Sequence, residues 1–255
     1  MDLQTESKDS LKRRKEKITK MAYTKRFDGR KFDETRPIVA KVGVVPNANG
    51  SAMFVFGDTI AIASVYGPRH LHPQHMQNPE TGILRVNYNM SSFSVDDRIR
   101  PGPSKRSTEI SKVSEWALLP SLMLEDFPNT VVDVHILIQQ ADASTRCAGI
   151  NAASLALAHA GVPMKELVTS VSIGKMDKQL VVDVIKKEED YELGEGATDV
   201  AMSFLSRSGN LSHIQLDGKI TAKELVEAVK LGKNTCDKIR KIQEEALKKA
   251  VKESK

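Results

Sequence analysis

Residues 131–161 read VVDVHILIQQADASTRCAGINAASLALAHAG, and no other stretch constrains the fold as much. An apolar, β-branched run of strand character passes through a polar junction into a helical pattern rich in small residues. A tight turn there would use Gly or Asn, yet the junction offers Ser144, Thr145 and Arg146. Two hydroxyls and a guanidinium would then stand at the first turn of a helix. Unpaired backbone N–H groups and about half a positive charge favour an anion at such a place. The plainer alternative is that Ser144 or Asp142 caps the helix while Arg146 makes a surface ion pair.

Strand-like runs precede this stretch: PIVAKVGVV, SAMFVF, TIAIASVYG and ILRVNYNM, the first three separated by turn-like NANG and GD. A Pro-rich polar loop, SVDDRIRPGPSKRS, leads into TEISKVSEWALLPSLMLEDF. There Ile110, Val113, Ala117 and Leu124 fall at helical spacing, Ser121 interrupts the stripe, and Pro120 should kink or end the helix. Beyond residue 161, VTSVSIGK, QLVVDVIK, DVAMSFLS and LSHIQLDG read as further strands. The remainder is helical from Thr221, with Leu225, Val229, Cys236, Ile239 and Ala246 near one face and Thr221 and Glu224 forming a capping box. This order predicts an α+β fold, with residues 26–255 as a single domain carrying a long C-terminal helix. Residues 1–25 read as a basic, disordered tail whose KRRKEK run could touch RNA, with Met21 a second candidate start.

The chain has 255 residues and a formal charge of +5, unevenly placed. Residues 1–26 and residues 219–255 each carry +5, so residues 27–218 carry −5 and any basic site in the body must be a local patch. No run of eighteen apolar residues occurs, which argues against a membrane span, and the charged N-terminus argues against a secretory signal. Two cysteines, Cys147 and Cys236, suggest neither a disulfide framework nor a zinc site, and a cytoplasmic location is the default. No P-loop, G-x-G-x-x-G or G-x-S-x-G motif is present.

Three further clusters carry candidate chemistry. Arg98, Arg100, Lys105 and Arg106 crowd the loop before the first helix and could track a phosphodiester backbone, or form a charged surface loop beside Asp96 and Asp97. Glu188, Glu189, Asp190, Glu195 and Asp199 gather between two strands, where carboxylates could hold Mg2+ or supply a general acid; an ordinary acidic loop is the alternative. His70, His72 and His75 have a metal-like spacing, which Pro73 works against.

Taken in order, RFDGRKFDETRPI, NGSAMF, VYGPRHLHPQH, RIRPGPSKRSTEIS, QQADASTRCAGINAASLALAHAGVPM and EEDY…TD resemble the RNase PH family, and within it the catalytic ring subunits of archaeal exosomes. The resemblance covers roughly residues 26–250. It implies a ribosomal protein S5 domain 2-like fold and phosphate-dependent 3′→5′ degradation of single-stranded RNA to nucleoside diphosphates. Inorganic phosphate, as co-substrate, is implied at Ser144, Thr145, Arg146 and Arg106. RNA contacts are implied at Arg69, Lys105 and Arg106, with Arg98 and Arg100 beside them. Asp190 and Asp199 match the catalytic acids, one protonating the leaving 3′-oxygen and the pair holding Mg2+ if a metal takes part. The implied partners are a non-catalytic RNase PH-like subunit in a hexameric ring, a trimer of heterodimers, and RNA-binding cap subunits, with no membrane. Alternatives are a stand-alone RNase PH that trims tRNA ends and a non-catalytic RNA-binding ring subunit. The chain departs from the family pattern at three positions. Ser144 stands where Gly is usual, Lys105 replaces the usual Arg and so lacks its bidentate fork, and the two acids are nine residues apart rather than six.

Overall fold

The computed structural model describes residues 23–192 and 196–253; residues 1–22 of the basic tail and Leu193, Gly194 and Glu195 of the acidic loop lie outside them. The first sheet contains β1 (Ile38–Val42), β2 (Gly50–Phe56), β3 (Thr59–His70), β4 (Ile83–Met90) and β5 (Thr130–Gln140). Its order is β1-β2-β3-β5-β4, and only the β4–β5 pair is parallel. A parallel pair needs a crossover, which α1 (Lys105–Leu118) supplies. The second sheet is antiparallel in the order β7-β6-β8-β9, from β6 (Val168–Met176), β7 (Gln179–Val182), β8 (Ala197–Leu205) and β9 (Leu211–Asp217). Three more α-helices occur among the described residues: α2 (Thr145–His159), the single turn α3 (Lys186–Glu189) and α4 (Ala222–Glu253).

α2 is the centre of the molecule, packed on β2, β3 and β5 of one sheet and on β6 of the other. Twelve of its fifteen residues are buried, so it has no solvent face and needs no amphipathic stripe. Its small residues let both sheets come close: a Cβ on Gly149 would stand 2.9 Å from Ile136 Cγ2. Polar groups on this buried helix are paired. Asn151 Nδ2 donates to the Ser170 carbonyl at 2.7 Å, and its Oδ1 accepts from Ser170 N–H at 2.9 Å and from Gln243 Nε2 at 3.1 Å, joining α2, β6 and α4. Phe54, Tyr88, Ile136, Leu155, Ile173 and Met202 belong to one contiguous core, which both sheets share. No helix among the described residues is long and apolar enough to cross a membrane.

Gly50 marks the tightest approach, because a Cβ there would lie 2.3 Å from Ala160 N and 2.4 Å from Ala156 O. Backbone atoms cannot swing aside, so Gly50→Ala is expected to cost about 3 kcal/mol, read as a lower urea midpoint with an unchanged m-value.

Most elements lie where the sequence pattern placed them. Pro120 ends α1, the chain tightening into a 3₁₀ turn at Leu119–Ser121, and Ile110, Val113, Ala117, Ser121 and Leu124 are all buried. Thr221 and Glu224 form the capping box, Thr221 N–H donating to Glu224 Oε2 at 2.8 Å. Two expectations change. The strand read as QLVVDVIK stops at Val182, because Asp183 takes a left-handed φ of 56° and turns its carboxylate to Arg36. Tyr23, assigned to the tail, is instead packed in a small aromatic cluster with Phe32 and Tyr191, and its hydroxyl donates to Glu188 at 2.7 Å.

Candidate active site

α1 and α2 start at the same cleft, of about 1000 Å3, lined at one helix by Ser104 and Arg106 and at the other by Ser144, Thr145 and Arg146. A helix N-terminus favours carboxylates in its first turn and disfavours cations by roughly 0.3–1 kcal/mol. Both helices reverse that preference, with no acid in either first turn and with Arg106 and Arg146 in place. Four positive features, two helix starts and two arginines, aimed at one space are an unfavourable arrangement unless an anion sits there. Ser104 caps α1 with Ser107 in a reciprocal box, so the α1 end is fixed. Arg146 donates through Nη1 to Gln215 of β9, and Gln215 Nε2 donates in turn to Glu109 at 2.7 Å, which holds the guanidinium across the cleft.

The junction before α2 is held from several sides. Ala143 and Ser144 both adopt left-handed backbone, at φ 53° and 52°. This explains the family's Gly at the second position, since a Cβ there costs about 1 kcal/mol or more. Ser144 Oγ offsets part of that by donating to the Val184 carbonyl at 3.1 Å. It does not cap α2, and Asp142 does not either. Asp142 Oδ1 accepts from Lys186 N–H at 2.9 Å, while Arg36 Nη1 donates to the Asp142 carbonyl at 2.6 Å. Arg36 also grips the buried Asp183, with Nη2 to Oδ1 at 2.6 Å and Nε to Oδ2 at 2.9 Å. Next to it Arg26 is forked onto the buried Glu188 at 2.9 and 2.8 Å. The arginines of RFDGRKFDETRP thus tie the anion turn to the acidic segment. Nothing local in the sequence identified that role, because each partner lies more than a hundred residues away.

Asp199 sits on β8 opposite Gly174 and Asp217, a register that points its carboxyl into the cleft. Burial raises its pKa, against the lowering influence of a hydrogen bond from Ser172 and of Arg146; Glu189 and Asp217 raise it further. A carboxyl held toward its protonated form beside a guanidinium can give a proton to a departing oxygen. Asp190 lines the same cleft but is turned to Lys186 Nζ at 2.7 Å, its side chain 61% exposed. Glu189, held by the same ammonium at 3.4 Å, raises the Asp199 pKa; it belongs to the acidic cluster but is not one of the two acids the resemblance matched. Asp190 and Asp199 thus stand in different surroundings, one in an exposed ion pair with Lys186 and the other buried beside Arg146. Among the described residues no group of three or more His, Cys, Asp or Glu fits a metal, the histidines 70, 72 and 75 included.

Arg98 and Arg100 line the cleft as the loop reading expected. Phe93 joins them at its rim, 77% exposed on a turn tied to β5 by Ser91 N–H to Ile138 O and Ala141 N–H to Ser94 O. Lys105 and Arg69 are not among the cleft-lining residues. Lys105 faces a shallow depression with Thr108, Glu109 and Lys112. Arg69 shares the buried Asp133 with Arg85, a second arginine the sequence reading missed.

A cleft with cationic helix starts on one side and a buried carboxyl of raised pKa on the other is suited to phosphate esters. Comparison with known proteins makes the class specific. Residues 34–163 match the model of the 3′ exoribonuclease family, domain 1, and residues 166–235 match domain 2. The chain belongs to this 3′ exoribonuclease family, the RNase PH family. It is 50% identical over 224 residues to the exosome complex component Rrp41 of Pyrococcus furiosus, covering 88% of each chain. The Methanopyrus kandleri protein of that name is 46% identical over 223 residues, 88% of this chain and 92% of that one. Rice (Oryza sativa) Rrp46 superimposes with a TM-score of 0.78 at 25% identity, covering 88% of this chain and all of that one. The Archaeoglobus fulgidus exosome with RNA bound to its active site gives 0.73 at 23% identity over 86% of this chain and 92% of that one, a likeness of fold. The RNase PH-like fold expected from the motifs is the one observed.

Proposed function

We propose that this chain is the phosphorolytic 3′→5′ exoribonuclease subunit of an archaeal-type exosome, acting on single-stranded RNA in the cytoplasm with inorganic phosphate as co-substrate. The observation that carries the reading is the convergence of two cationic helix starts on Asp199, a buried carboxyl whose pKa burial raises. Phosphate at the α2 start, against Thr145 and Arg146, attacks the last phosphodiester; a new P–O bond forms and the P–O3′ bond breaks. Arg106 and Arg146 neutralise charge that develops on the transferring group. The leaving 3′-oxygen takes its proton from Asp199, and the proton brought in with phosphate restores the carboxyl. A nucleoside 5′-diphosphate and RNA one nucleotide shorter are the products. Arg98 and Arg100 follow the backbone at the mouth, and Phe93 offers a ring on which a base stacks. Similarity to exosome components, at 50% identity over 88% of the chain, supports assembly with a non-catalytic RNase PH-like subunit into a hexameric ring under RNA-binding caps. In that ring Lys105 and Arg69 contact RNA outside the cleft.

The test uses the full chain co-purified with its ring partner and 5′-labelled single-stranded RNA, with and without inorganic phosphate. Laddering that requires phosphate and releases diphosphates is the expected result. Shortening without phosphate, with monophosphate products, would mean hydrolysis; RNA bound but never shortened would mean a structural ring member.

A further inference from the structure

Tyr88 is buried beneath the cleft and takes no part in the chemistry described above. It is 2% exposed, on β4, its backbone N–H donating to Ser111 Oγ at 2.8 Å. Its ring is close to Gly149, one turn inside α2, where an added Cβ would lie 3.7 Å from Cε2. The hydroxyl at its tip is shut away from solvent and has no closed hydrogen bond. Thr145, the first residue of α2, lines the same cleft as Tyr88, and its hydroxyl lowers the phenol's pKa as a hydrogen-bonding neighbour, with Arg106 and Arg146 acting on it by charge. An unpartnered buried hydroxyl costs roughly 1–3 kcal/mol, and a phenylalanine would fill the same space without that cost.

We infer that Tyr88 is a positioning residue for phosphate: its hydroxyl donates to Thr145 Oγ, which turns the Thr145 hydrogen outward onto an oxygen of inorganic phosphate held at the α2 start. This rests on the phosphorolytic reading and adds the group that orients its donor. The direction of the chain is set by the phenol. Burial raises its pKa more than Thr145, Arg106 and Arg146 lower it, so it stays protonated and serves as the donor. The threonine hydroxyl, with one hydrogen to give, then has only the anion left to give it to. Linked donors of this kind strengthen one another in a low-dielectric site.

Tyr88→Phe tests the inference in the assembled complex, with Thr145→Val and the double variant beside it. The expected result is a rise of about fivefold to tenfold in the KM for phosphate, with the KM for RNA unchanged. In phosphate-free buffer the Tm should be equal to the parent's or higher, and phosphate should raise it less. The double variant should match Thr145→Val alone, because the tyrosine acts through the threonine. An unchanged phosphate KM, a parallel rise in both KM values with a lower Tm, or multiplying losses in the double variant would each overturn the inference while leaving phosphorolysis intact. If the parent complex shortens RNA equally well without phosphate, the underlying reading falls and this inference with it.

Discussion

Asp199→Asn is expected to cut RNA shortening by about a hundredfold or more while making the folded chain more stable at neutral pH. Both effects have one origin. Burial holds the Asp199 carboxyl above its ordinary value, so the native protein keeps a proton there that the unfolded chain has already released. Between the unfolded value, near 3.8, and the raised folded value, the native state binds more protons than the unfolded one. Stability therefore declines as pH rises through that window and stays lower above it. An amide has no proton to lose, so the variant should lack this decline. Thermal unfolding of parent and variant from pH 4 to 8, with RNA shortening in saturating phosphate at pH 7, measures both sides. An inactive variant with an unaltered pH–stability curve would place Asp199 in the reaction without the buried proton on which its role as acid depends.

The largest loss of stability is expected from Arg36→Met, on the order of 3–5 kcal/mol. The guanidinium is nearly buried, and its removal leaves Asp183, 1% exposed at the side chain, as a buried charge held by the longer pair with Arg30 Nη1 at 3.5 Å and by the N–H of residue 36 at 2.8 Å. It also releases the Asp142 carbonyl and so one anchor of the anion turn. Arg36→Met combined with Asp183→Asn should be less unstable than the arginine variant alone, because the stranded charge is gone. Urea unfolding of the three variants gives that coupling directly. Additive losses would mean that Arg36 contributes through packing of its stem, and the link between turn and acidic segment would be of no energetic consequence.

Much of the architecture was legible because it rests on local rules. Pro120 can neither donate an N–H nor continue a helix wherever it sits, and Thr221 with Glu224 caps whatever helix follows. The small-residue run 145–159 could only be a helix hemmed in on all sides, which is where it lies. The anion site was legible in the same way: a hydroxyl-rich, arginine-bearing helix start carries its chemistry in consecutive residues, and Ser144, Thr145, Arg146 and Arg106 do line one cleft.

The rest depended on which way side chains point once distant segments meet. Lys105 and Arg106 are neighbours in sequence, yet adjacent positions on a helix face about 100° apart, so only Arg106 enters the cleft. Asp190 and Glu189 are neighbours too, and both pair with Lys186 one turn earlier, at 2.7 and 3.4 Å, yet it is Glu189 whose charge raises the Asp199 pKa. Tyr88 looked like one more apolar strand residue until the packing of β4 under α2 set its hydroxyl beside Thr145. Asp142 and Asp183 are separated by 106 and 147 residues from Arg36, which joins them, and no periodicity encodes that meeting. The sequence by itself determined the elements, their caps and the cationic, hydroxyl-rich helix start, because backbone preference and charge act over a few residues. Only the tertiary structure decided which carboxyl is buried in the cleft, which cation faces it and what holds the turn in place, because burial and side-chain direction come from contacts made across the whole chain.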